Sequence, residues 1–121
     1  MENMDLVKAI GYAALDKKAN RLIVQDLRNR SDLCDYQVIC SAANERQTLA
    51  ICDSIEVYLK RNANLRPVAI EGKQSSHWIL MDYGPVMVHI FLEELRDYYA
   101  LENLWPDVAP MSIKPKTESS V

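Results

Sequence analysis

Two short apolar runs, residues 77–83 and 86–91, meet at a Gly84-Pro85 break, and no other stretch restricts the fold as tightly. The pattern reads as two strands joined by a tight turn. With Gly84 and Pro85 as a two-residue loop, Tyr83 lies opposite Val86, Leu80 opposite His89 and Trp78 opposite Phe91. Side chains alternate along a strand, so this register sorts the hairpin into two faces. One face carries Ile79, Met81, Tyr83, Val86, Val88 and Ile90, which is core material. The other carries Trp78, Leu80, Asp82, Met87, His89 and Phe91, a mixture of aromatic, acid and imidazole. A three-residue loop would sort them differently.

Upstream, Leu6, Ile10, Ala13 and Ala14 recur at helical spacing, with Asn3 or Asp5 available as a cap, and predict a helix over residues 4–18. Leu22-Ile23-Val24 with Leu27 predicts a buried strand, and Tyr36, Val38 and Cys40 a second one after the polar connection at 28–32. Asn44 followed by Gln47 has the form of a capping box, in which the Asn oxygen accepts from first-turn amides and the glutamine reaches back. Leu49, Cys52, Ile55 and Leu59 mark one face of the long helix that follows, and Asn62–Asn64 ends it. Pro67 suits the start of a third strand at 68–71, where Glu71-Gly72 implies a turn that needs glycine. After the hairpin, Glu93 and Glu94 suit the first turn of a last short helix whose apolar positions are Leu95, Tyr98, Tyr99 and Leu101. From Pro106 onward three prolines and a polar finish give no periodicity, so the expectation is a domain at 1–105 and a disordered tail at 106–121.

This order predicts an α/β fold: a mixed five-stranded sheet with flanking helices. The helix at 45–62 should make a right-handed parallel crossover, while the hairpin is antiparallel. At 121 residues the chain is one domain. It has no run of about 18 apolar residues to cross a membrane, and its acidic start is unlike a secretory signal, so a cytoplasmic location is expected. Cys34, Cys40 and Cys52 are odd in number and lack metal or redox spacing, which predicts buried, reduced thiols. The net charge of −3 is uneven, with residues 67–121 carrying four Lys/Arg against eight Asp/Glu. That half argues against a broad nucleic-acid footprint and is compatible with a basic protein partner.

A family resemblance rests on Glu71-Gly72, the string Trp78-Ile79-Leu80-Met81-Asp82-Tyr83-Gly84, Val88-His89-Ile90-Phe91, and then Arg96, Tyr99, Leu101-Glu102 and Leu104-Trp105. It extends upstream through Asp35-Tyr36, Val38-Ile39-Cys40 and Arg46-Gln47. The chain closely resembles the ribosome silencing factor family, also called Iojap. The resemblance implies a nucleotidyltransferase-like fold without catalysis, and binding to the large ribosomal subunit through ribosomal protein L fourteen, so as to block joining of the small subunit. It also implies a partner-binding set of Trp78, Leu80, Asp82, Tyr83, His89 and Phe91. Two departures stand out: Ala42-Ala43 replaces a glycine-containing loop, and Pro85 a polar turn residue.

The fold resemblance invites an enzyme reading, a metal-dependent nucleotidyltransferase. Such an enzyme needs a Gly-Ser cradle for triphosphate and spaced carboxylates for magnesium. Here Ser31 has no preceding glycine, and Asp35-Tyr36-Gln37 offers one carboxylate where two are required. His77 and His89 fall on opposite hairpin faces and do not converge on a metal. No cofactor is expected, nor sequence-specific nucleic-acid binding. A homodimer using the mixed hairpin face is a third reading, and so is that face being covered by the protein's own last helix.

Overall fold

The computed structural model describes residues 2–115. Its elements run α1 (Asn3–Asp16), β1 (Asn20–Asp26), β2 (Tyr36–Ala42), α2 (Glu45–Ala63), β3 (Ala69–Glu71), β4 (Trp78–Asp82), β5 (Val86–Leu92) and α3 (Glu93–Tyr99), followed by a 3-10 turn at Leu101–Leu104. One mixed five-stranded sheet has the order β1-β2-β5-β4-β3. Only the β2–β5 pair is parallel. β3 does run parallel to β2, as the crossover expectation required, but it sits at the far edge, and the strand beside β2 is β5.

Helices α1 and α2 cover one face of this sheet. Ile10, Val38, Ile51, Ile55, Val88 and Ile90 are completely enclosed between the layers. Burying such side chains contributes roughly 1.5–3 kcal/mol each relative to exposure, so this layer supplies the main drive to fold. The hairpin has the register expected from a two-residue loop. Trp78 pairs with Phe91 and Leu80 with His89, and the Tyr83 amide donates to the Val86 carbonyl at 3.0 Å. The Asp82 carboxylate accepts from the Gly84 amide at 2.7 Å, which tightens the turn.

Asn44 caps α2 as predicted, its side chain accepting from the Gln47 amide at 2.9 Å. Gln47 reaches back one residue further than a capping box requires, to the Ala43 amide at 2.7 Å. Its amide nitrogen also donates to the Lys17 and Lys18 carbonyls just past the end of α1, at 3.1 and 3.0 Å. One side chain thereby satisfies the start of one helix and the end of another.

The expected disordered tail from Pro106 is corrected for residues 106–115. Met111 and Val24 exchange both backbone hydrogen bonds at 2.8 Å, so the segment straps the free edge of β1. Ile113 then packs over Gly11, where a Cβ would lie 2.7 Å from its Cδ1. Residues 116–121 lie outside the described residues. Among those described, no helix is long and apolar enough to cross a membrane.

Candidate functional site

The second face of the sheet is built differently. Over β1 and β2 it is sealed by α3 and the 3-10 turn, and over β4 it is partly open. The seal is polar. Arg96, only 2% exposed, donates through Nη1 to Ser41 Oγ and the Arg21 carbonyl, both at 2.8 Å, and through Nε to Glu102 at 3.2 Å. Gln37 donates to the Gln25 side chain at 2.8 Å, which in turn donates to the Glu102 carbonyl at 3.0 Å. Periodicity predicted Leu95, Tyr98, Tyr99 and Leu101 as the inward positions of α3, and this is corrected: the helix buries Arg96, and Tyr98 is 78% exposed. The last helix therefore covers only part of the mixed face.

Trp78, Leu80, Asp82 and Met87 remain half-buried on the open part. Trp78 stacks on Phe91 with centroids 4.8 Å apart and touches Tyr99 at 4.9 Å. Its indole N–H donates to Nδ1 of His89 at 3.1 Å. Burial pushes the His89 imidazole down to about 4, so the ring is neutral at ordinary pH and can accept that bond. Phe91 is wholly enclosed and acts as the floor on which Trp78 rests. The face continues onto the sheet edge, because Ala69 pairs with Asp82 and Glu71 with Leu80 in β3.

Of the six residues expected together, Trp78, Leu80, Asp82, His89 and Phe91 share this face, and Tyr83 does not. Tyr83 lies in the core layer against the helices, with its hydroxyl buried and unpartnered among the described residues. The partner-binding set implied by the resemblance omits Met87, which alternation puts on this face, and also Tyr99 and the β3 side chains. Ala69 and Glu71 join through a strand pairing that carries no local sequence mark.

The positions that an enzyme reading would use are engaged within the fold. Asn3 donates to the Asp35 carboxylate at 2.9 Å, and the Ser31 hydroxyl accepts from the Leu33 amide at 3.0 Å. Gln37 is buried in the amide chain just described. His77 pairs with Glu45 at 2.7 Å on the rim, apart from His89. Among the described residues no cluster of His, Cys, Asp or Glu could hold a metal ion. All three cysteines are buried, and loss of solvent raises the thiols of Cys40 to about 12 and Cys52 to about 11.

Comparison with known proteins shows the family and the fold. The sequence profile of the family described as "Ribosomal silencing factor during starvation" matches residues 1–120. The ribosomal silencing factor RsfS of Bacillus subtilis is 33% identical over 112 residues, 93% of this chain and 93% of that protein. That of Chromobacterium violaceum is 34% identical over 119 residues, 95% of this chain and 97% of that protein. A crystal structure of a Chromobacterium violaceum protein superposes with a TM-score of 0.84 at 32% identity, covering 99% of this chain and 95% of the other.

Proposed function

Because the chain belongs to the ribosomal silencing factor family, RsfS, we propose that it represses translation by occupying the large ribosomal subunit where the small subunit docks. The partner on that subunit is ribosomal protein L fourteen, and the site of action is the cytoplasm. No chemistry is needed, since occupancy alone prevents joining. The observation that carries the reading is the open part of the second sheet face. There Trp78, Leu80, Met87 and Asp82 are half-exposed on a rigid hairpin rather than on a loop. Trp78 is held from below by Phe91 and from the side by His89, so little side-chain freedom is left to lose on docking. Aromatic and aliphatic anchors beside a carboxylate suit a partner with its own apolar patch and nearby cations.

Within this face the roles divide. Trp78 and Leu80 anchor, Asp82 meets a basic group, and His89 and Phe91 hold Trp78 in place. Tyr83, on the helix side, acts through the fold and touches no partner.

Sedimentation with isolated large and small subunits tests the reading. The parent chain should travel with the large subunit alone and reduce subunit joining. Leu80→Ala and Trp78→Ala should stay folded and lose about 2 kcal/mol or more of binding. Asp82→Asn keeps the acceptor for the Gly84 amide while removing the charge, so it should weaken binding without loosening the turn. If all three variants bind large subunits as tightly as the parent, this face is not the contact. A chain that pairs with itself and ignores both subunits would favour the homodimer instead.

A further inference from the structure

The helix α3 is inverted: it buries its only arginine and presents its tyrosines to solvent. Arg96 fixes the helix to Ser41 and Arg21, and Arg21 adds exposed ion pairs to Asp97 at 2.8 Å and Glu93 at 3.5 Å. With those three charges engaged, the outward face is left to Glu94 and Tyr98, which stand one helical turn apart at i and i+4. Both are exposed, and Tyr98 is more open than any other aromatic ring described. It meets Tyr99 edge to face at 5.1 Å, and Tyr99 touches Trp78, so the aromatic surface runs without a break from the hairpin to α3.

A single exposed ring is ordinary, but one continuous with the hairpin aromatics enlarges the apolar patch, and the charge beside it indicates what would cover it. Of the six carboxylates between residues 74 and 113, Glu93 and Asp97 pair with Arg21, Glu102 with Arg96 and Asp107 with Arg30, so among the described residues Asp82 and Glu94 are the two without a cation. Among the described residues Glu94 makes no hydrogen bond or ion pair through its side chain, although Arg46 lines the same shallow hollow. A carboxylate beside a tyrosine face is a receptor for a guanidinium, which can pair with the acid and stack on the ring at once. Nucleic acid is disfavoured, because its phosphates would meet these carboxylates.

We propose that Glu94 and Tyr98 form a second docking point, which receives an arginine side chain from the protein partner of the hairpin face. This rests on the large-subunit reading and extends its footprint from the sheet onto α3. The hairpin supplies apolar anchoring, and α3 supplies a charge-selective clamp that sets the orientation of the partner.

The test uses the full chain and isolated large subunits. Tyr98→Ser and Glu94→Gln should each weaken binding about 2–5-fold and the pair about 10-fold, while Tyr98→Phe, which keeps the ring face, should match the parent. The double variant should also show a shallower loss of affinity with salt. With p-benzoylphenylalanine in place of Tyr98, irradiation should crosslink the chain to an arginine-bearing segment of a ribosomal protein. Crosslinking to ribosomal RNA overturns the proposal. So does silence at position 98 when the same photoreactive residue in place of Leu80 crosslinks the large subunit, and in that case the hairpin reading stands. Silence at both positions rejects the hairpin reading together with this one.

Discussion

Trp78 and His89 share one proton, the indole N–H, which points from the tryptophan to Nδ1 of the histidine across 3.1 Å. For Nδ1 to accept, the imidazole must be neutral with its own proton on Nε2. A protonated His89 would set two donors against each other beneath the residue that anchors the proposed interface.

Stability should therefore fall on the acid side. Burial depresses the His89 pKa from 6.5 to about 4, so between those values the unfolded chain binds more protons than the folded one. The contribution is fully present above pH 6.5 and is lost as pH falls toward 4, by about 2 kcal/mol between pH 7.5 and pH 5. Urea unfolding at the two pH values measures it. His89→Asn, which keeps an acceptor near Nδ1 but does not titrate, should flatten the difference; an unchanged slope in that variant would place the acid sensitivity elsewhere.

Two glycines in the left-handed region should respond differently to alanine. Gly72 has φ +93°, and an added Cβ would lie 2.0 Å from the Trp78 carbonyl oxygen at the head of β4. Gly84 has φ +82° with nothing within 4 Å of the added carbon. Gly84→Ala should cost about 1 kcal/mol of backbone strain. Gly72→Ala adds a clash with backbone to that strain and should cost about 3 kcal/mol or more, disturbing Trp78 as well. Denaturation midpoints compare the two directly, and equal losses would contradict the close approach at Gly72.

Arg96 should be far more sensitive than its place on a short surface helix suggests. Arg96→Met removes the donor to Ser41, Arg21 and Glu102, leaving the glutamate without its cation in a site largely closed to water. Loss of one partner from a buried pair costs about 3–5 kcal/mol, and the partial exposure of Glu102 brings the expected figure to roughly 2–4 kcal/mol. Adding Glu102→Gln should recover part of it. A double variant no better than Arg96→Met would show that packing, not charge, holds α3 down.

The cysteines offer a check on core rigidity. Cys40 and Cys52 are fully enclosed, with thiols raised to about 12 and about 11, so neither has an appreciable thiolate fraction at pH 8. Their labelling by a thiol reagent should follow the rate of opening. Cys34, at the edge of the core beside exposed Leu33, should react first. Fast labelling of all three in the native state would mean that the sheet opens far more readily than its packing implies.

Much of the hairpin is legible in the sequence because its information is local. Gly84 and Pro85 fix the loop length, the loop fixes the register, and alternation assigns each side chain to a face. The cap at Asn44 is local too. What escapes notice is set by distant partners. Arg96 is buried because Ser41 and the Arg21 carbonyl, 55 and 75 residues away, are there to receive it, and helical periodicity alone turns the neighbouring tyrosines inward. The strap at Met111 pairs through backbone groups, which every residue carries, so nothing in the side chains announces it. Alternation puts Tyr83 on the core face and the resemblance puts it among the contact residues; its burial follows the alternation.

The order of strands also governs how the chain must assemble as it is made. All seven residues of β2 are buried, yet one of its neighbours, β5, is not synthesised until residues 86–92. Until then the β1–β2 pair carries a bare apolar edge, the kind of surface that invites pairing with the wrong chain. The centre of the sheet is thus the last part of it to arrive, slotted between strands made earlier. A chain cut in the loop between α2 and β3 would leave one fragment with the edge and the other with the strand that fills it. Neither should fold alone, and the two should recover the native sheet on mixing.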